Sequence, residues 1–184
     1  MDKAKITLVT GGARSGKSAF AEQTVRSSGL PVTYIATAEV YDDEMRKRVE
    51  IHKSRRPESW GTWEGTPEAL TNEISGMSGC FLMDCLTMWL TRLIFEDDRC
   101  EKASENEWHE REEEILELLK KLCSSVAPGS HLVMVTNETG MGIVPDNRLS
   151  RRFRDLQGRA NQTVAAMADE VVFVVSGCPL WVKK

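Results

Sequence analysis

The amino-acid sequence predicts an α/β fold: a mostly parallel sheet with helices on both faces. Two observations carry this prediction. Short apolar, β-branched runs recur at 5–10, 32–37, 79–85, 131–136 and 170–177, and helix-length segments alternate with them. The first run also passes directly into a glycine-rich turn that opens a helix, in "KITLVTGGARSGKS".

The elements follow in order. "KITLVT" reads as a buried strand, with a helix beginning near Gly16, and "VTYIAT" is the second strand. "DDEMRKRVEIHKSRR" (42–56) reads as helical, with acids in its first turn and bases in its last, as the helix dipole favours; Pro57 stops it. "GTWEGTPEALTNEIS" holds a short extended piece and then a helix from about Pro67. "GCFLMDC" is a core strand running into the apolar helix "LTMWLTRLIF". Residues 104–126 form a long amphipathic helix. "HLVMVT" and "EVVFVVSG" are buried strands flanking a helix from about Asp146 to Asp169. The acidic stretch at 96–107 reads as a variable loop, and no internal repeat is visible.

Composition bounds the function. At 184 residues, with 41% hydrophobic and 28% charged content, the chain suits one domain spanning 1–184. A net charge of −4 argues against a general nucleic-acid binder. Five cysteines without a CxxC or a nearby histidine pair indicate neither a disulfide framework nor a zinc site, and reduced thiols point to the cytoplasm. The N-terminal apolar run is too short for a signal peptide, and "CFLMDCLTMWL" falls short of a membrane span.

"GGARSGKS" fits G-x-x-x-x-G-K-[ST], with the required strand before it and helix after it. Such a loop turns successive N–H groups toward phosphate oxygens, and the helix N-terminus adds its positive end. Lys17 is placed to reach the β/γ-phosphates and Ser18 to offer its hydroxyl to Mg²⁺. The alternative is a glycine-rich turn without a ligand. Asp84 closes an apolar strand, where an acid that holds Mg²⁺ sits, directly or through water; the alternative is a cap on the following helix. His52 shares a helix face with Met45 and Val49, which alone would make it a packing residue. Lys53, Arg55 and Arg56 follow it, and they can neutralise phosphate oxygens. Nearby cations also lower an imidazole pKa below its reference of ~6.5, leaving a neutral ring suited to attack on an α-phosphate. Phosphoryl transfer by itself needs no such nucleophile.

Six segments, "VTGGARSGKS", "YIATAE", "DDEMRKRVEIHKSRRPESW", "DCLTMWL", "TNETGMGIVP" and "FRDLQGRANQTVAAMADEVVFVVSG", together resemble the bifunctional adenosylcobinamide kinase/adenosylcobinamide-phosphate guanylyltransferase family of cobalamin synthesis. The likeness runs from about residue 5 to 182. It implies a RecA-like P-loop NTPase fold, a homotrimer, GTP, ATP and Mg²⁺ as nucleotides and metal, and adenosylcobinamide as the corrinoid substrate. It further implies that His52 becomes guanylylated and that Gly11, Gly12, Ala13, Arg14, Ser15, Gly16, Lys17 and Ser18 form the phosphate loop. Ala36, Thr37 and Ala38 match a nucleotide-contacting segment, and Lys53, Ser54, Arg55, Arg56, Glu64 and Asp84 match further GTP-binding positions.

The remaining segments carry weaker signals. "TNETGMGIVP" places Asn137, Glu138, glycines and a proline at a strand's C-terminal end, the edge where open α/β sheets bind ligands; a structural turn is the alternative. Arg148, Arg151, Arg152, Arg154 and Arg159 read as a solvated face or a subunit contact, and His109 and His131 as structural. Trp60 and Trp63 could cover a large ligand, but aromatics in short hairpins usually fill core. Three functions stay open from the residues alone: a two-step kinase and guanylyltransferase, a kinase in which His52 is structural, and a nucleotide-dependent switch.

Overall fold

The structure is a computed structural model that describes residues 3–38, 53, 56–95 and 99–184. The elements are β1 (Lys5–Gly11), α1 (Lys17–Arg26), β2 (Val32–Ala36), β3 (Gly61–Glu64), α2 (Pro67–Glu73), β4 (Cys80–Asp84), α3 (Leu86–Phe95) and α4 (Arg99–Lys102), then α5 (Glu105–Ser124), β5 (His131–Val135), α6 (Arg148–Met167), β6 (Glu170–Val175) and β7 (Cys178–Lys183). The helix expected over 42–56 lies outside the described residues, apart from Lys53 and Arg56.

The strands form one sheet in the order β3-β2-β4-β5-β1-β6-β7, parallel except where β7 runs antiparallel to β6. Because side chains alternate across a strand, each apolar run supplies both faces. Leu8, Phe81, Met83, Leu132 and Met134 pack with α2, α3, α5 and α6 on one face. Val9, Leu82, Val133, Val135 and Val172 pack with Ala21 and Val25 of α1 on the other. This is why the strands read as continuous apolar runs rather than as alternating ones. Local chemistry sets the helix starts. The Thr66 hydroxyl accepts the Ala69 N–H at 3.2 Å, with Pro67 in the first turn. Ser104 and Glu107 form a reciprocal capping box on α5. The Asn147 side chain caps α6.

Four expectations change. Strand β7 was not anticipated. Ser176 and Gly177, at φ 49° and 81°, turn the chain back after Val175, and the positive φ at both positions is what a tight hairpin of this hand requires. The stretch 96–107 is not simply a loop, since α4 and the capped start of α5 occupy its described part. Trp63 lies on a parallel edge strand rather than in a hairpin; it packs against the larger core cluster and donates from Nε1 to Glu73 at 3.0 Å. Finally, the arginine-rich helix is not a wholly solvated face. Arg152 is buried, donating to the Ala103 and Ser104 carbonyls and to Glu105, with its guanidinium 5.0 Å from the Trp108 ring centroid. Among the described residues, no helix is long and apolar enough to cross a membrane.

Candidate nucleotide and phosphoryl-transfer site

The site lies at the C-terminal ends of β1, β2, β4 and β5. The loop from Gly11 to Ser18 leaves β1 and enters α1. Its glycines are steric requirements: a Cβ on Gly11 would meet the Val174 carbonyl oxygen at 2.5 Å and Ser15 Oγ at 2.7 Å. Gly16, at φ 96°, would place a Cβ 3.2 Å from Gly177 Cα. The Gly177 N–H donates to the Ser15 carbonyl at 2.8 Å, so the β6–β7 turn braces the loop from behind.

Several features fit this cradle to an anion. Helix α1 starts without a side-chain cap and without an acid in its first turn, leaving its N–H groups to a ligand. Ser15 Oγ is buried and, among the described residues, has no hydrogen-bond partner. Lys17 Nζ is buried and donates to the Gly12 carbonyl at 2.8 Å, folded over the loop where phosphate oxygens would lie. Burial lowers the Lys17 pKa, and the charge of Asp84 opposes that shift, which places the two groups in each other's field. Ser18 is half-buried at the helix start. Ser18 and Asp84 supply hydroxyl and carboxylate oxygens, the hard donors that Mg²⁺ prefers.

Asp84 ends β4, paired in register with Ala36 of β2 and Val135 of β5. The segment after β2 locks onto this strand end, since Thr37 Oγ1 accepts the Cys85 N–H at 2.8 Å and donates to its carbonyl at 3.0 Å. Ala36 and Thr37 are thereby brought beside Asp84, with Ala38 following them in the chain. Burial pushes the Cys85 thiol up to about 11, so it offers no thiolate at neutral pH. Tyr34 donates from its hydroxyl to the Asp84 carbonyl at 3.1 Å, and the Arg56 guanidinium lies 3.2 Å from its ring centroid. Lys53 pairs with Glu64 at 3.6 Å, at the end of β3. His52, Ser54 and Arg55 lie outside the described residues; Lys53, which follows His52, and Arg56, which follows Arg55, reach the sheet's ligand edge through Glu64 and Tyr34.

The structure adds residues that sequence reasoning did not single out. Tyr34 carries Arg56. Thr87 holds Asn137, accepting its N–H at 3.2 Å and its Nδ2 at 2.9 Å. Thr10 and Asn161 hold Glu138. The one sequence signal for the last group was three consecutive polar residues, Thr136 to Glu138, at the end of a buried strand.

Comparison with known proteins agrees with this geometry. Residues 7–182 match the family model described as cobinamide kinase / cobinamide phosphate guanyltransferase. The chain is 42% identical over 182 residues to the bifunctional adenosylcobalamin biosynthesis protein CobU of Escherichia coli, covering 97% of this chain and 99% of that protein. It is also 42% identical over 179 residues to CobP of Pseudomonas aeruginosa, covering 96% of each. In fold alone it matches a prototypical ATPase from the type III secretion system of pathogenic bacteria, with a TM-score of 0.59 at 9% identity over 92% of this chain and 50% of that one. With a family match across nearly its whole length and a phosphate-binding loop built to receive a nucleotide, the chain belongs to the cobinamide kinase/cobinamide phosphate guanyltransferase family.

Proposed function

We propose that this protein phosphorylates the aminopropanol hydroxyl of adenosylcobinamide with a nucleoside triphosphate, GTP or ATP. It then transfers GMP from GTP to the resulting phosphate, forming adenosylcobinamide-GDP and releasing pyrophosphate. His52 is the nucleophile of the second step: its neutral imidazole takes GMP from the α-phosphate and passes it to the corrinoid phosphate. The phosphate loop from Gly11 to Ser18 holds the triphosphate, and Lys17 neutralises the β/γ-oxygens. Ser18 and Asp84 hold Mg²⁺, which when bound offsets charge on the phosphates. Arg56 and Lys53, with Ser54 and Arg55 between them, bind phosphate beside His52, and Glu64 orients Lys53. Ala36, Thr37 and Ala38 complete the nucleotide cleft. The whole chain is one nucleotide-binding domain, acts in the cytoplasm and assembles as a homotrimer.

The observation that carries this function is the juxtaposition, at one sheet edge, of an anion cradle with an arginine held on Tyr34, four residues after the histidine. Incubation with α-labelled GTP should leave acid-labile, base-stable label on the protein at near-stoichiometric yield. His52→Ala should lose that label and guanylyl transfer while keeping most cobinamide phosphorylation. A His52→Ala protein that still accumulates labelled GMP in full would end the nucleophile assignment.

A further inference from the structure

The two reactions of the proposed function, on which this inference rests, use three nucleophiles. A neutral imidazole attacks through a free lone pair, and a phosphate monoester attacks as an anion. Only the corrinoid hydroxyl must shed a proton. The kinase step alone therefore calls for a proton acceptor, and none of the groups given a role in the proposed function supplies one: Lys17 and Arg56 are cations, Asp84 holds Mg²⁺, and Glu64 is paired with Lys53.

Glu138 has the placement and the free valence. It lies three residues past Val135, which pairs with Val9 on one side and with Asp84 on the other, so the segment after β5 emerges between the phosphate loop and the Asp84 strand end. The Glu138 N–H donates to the Gly11 carbonyl at 3.3 Å, tying the residue to the first position of the loop. Its side chain is held through one oxygen only. Oε1 accepts the Thr10 hydroxyl at 2.5 Å and the Asn161 Nδ2 at 3.3 Å. Asn161 is itself fixed, because its Oδ1 accepts Thr136 at 2.7 Å and Gln157 at 2.9 Å, and its Nδ2 also donates to the Asn137 carbonyl at 3.1 Å. Gln157 and Thr136 are fully buried, so this support is rigid. Among the described residues, no group hydrogen-bonds to Oε2, and the residue is half-buried and open to a ligand. A carboxylate clamped by neutral donors through one oxygen, with the other left over at the phosphate loop, is an arrangement for receiving an incoming donor.

We propose that Glu138 is the general base of the kinase step. The corrinoid hydroxyl oxygen forms a bond to the γ-phosphorus, the bond from that phosphorus to the β,γ-bridging oxygen breaks, and the nucleoside diphosphate leaves with the electron pair. The hydroxyl proton passes to Glu138 Oε2. Thr10 and Asn161 are positioning residues that aim the carboxylate.

The test separates the two activities in one protein. Glu138→Gln should lower kinase kcat by about 10²–10⁴-fold with the cobinamide KM little changed. The same variant should form the labelled GMP adduct and guanylylate prepared cobinamide phosphate within about twofold of wild type, because neither nucleophile there has to shed a proton from its attacking atom. Formate should return part of the kinase turnover to Glu138→Ala, which a merely structural carboxylate would not allow. Kinase turnover of Glu138→Gln within about threefold of wild type would overturn the assignment. So would a parallel loss of both activities without formate rescue, the pattern of a strut whose removal displaces the loop. A wild-type protein that neither phosphorylates cobinamide nor forms the adduct would overturn the functional reading beneath it, a failure distinct from one seen in the variant alone.

Discussion

Lys17 concentrates the residue-scale argument. Its ammonium is buried at the start of α1 and donates to the Gly12 carbonyl, a contact that a phosphate oxygen would replace. No second lysine or arginine of the phosphate loop folds back onto it; Arg14, the other cation there, is exposed. Lys17→Ala should therefore cut phosphoryl transfer by about 10²–10³-fold or more, measured as cobinamide phosphorylation at saturating nucleotide. Near-normal turnover would detach this loop from catalysis. The place of Lys17, at the start of α1 and folded over the loop, was legible in the sequence because a loop motif is local: eight consecutive residues define both the backbone path and the charge. The environment of Glu138 was not legible, since its partners Thr10 and Asn161 lie 128 and 23 residues away and meet it only when β1, β5 and α6 pack together.

At the scale of elements, polar residues join strands and helices at defined points. His131 opens β5 and meets the Thr7 hydroxyl of β1 at 2.9 Å; that hydroxyl also donates to Glu170 of β6 at 2.9 Å. Burial lowers the His131 pKa, Lys5 lowers it further, and Glu170 and Asp169 oppose the shift. A folded-state pKa below the unfolded value of ~6.5 means that the unfolded chain binds the proton first as pH falls. The contribution to stability is thus present above pH ~6.5 and is lost as pH drops through the window beneath it. Thermal melts should show a decline in Tm between about pH 7 and 5 that is shallower in His131→Leu, and equal slopes in both proteins would refute the linkage. Arg152 joins α6 to the start of α5. Arg152→Ala removes its bonds to the Ala103 and Ser104 carbonyls and to Glu105 together with the Trp108 contact, although Arg148 and the Trp108 N–H still reach the two carbonyls, and should cost about 1–3 kcal/mol in urea unfolding. Both enzymatic activities, measured well below the melting temperature, should persist. Loss of one activity at unchanged stability would give this arginine a role in the site.

At the scale of the whole molecule, the antiparallel strand β7 forms one edge of the sheet and exposes Leu180, Trp181 and Val182, at 55%, 44% and 69%. The β6–β7 register shifts here, with Val172 opposite Trp181 and Val171 opposite Lys183, so Val182 is the extra, unpaired residue of an irregular edge. An exposed apolar edge strand is a ready template for pairing with another chain. We expect it to contribute to the proposed homotrimer, so Leu180→Glu/Val182→Glu should shift the solution mass from trimer toward monomer. Light scattering at several concentrations would check this, and an unchanged trimer would place the subunit contact elsewhere.

By itself the sequence determined the fold class, the strand–loop–helix proposed to bind phosphate, the acid at the end of β4 and the family. Each of these is written in contiguous residues, where spacing and burial periodicity report local backbone geometry. Only the tertiary structure decided the strand order β3-β2-β4-β5-β1-β6-β7, the return of the chain as β7, the burial of Arg152 and the clamp on Glu138. These depend on which distant segments come into contact. A side chain whose partners lie tens of residues away carries no mark of them in its own neighbourhood, and its chemistry is settled only when the sheet brings those segments to one edge.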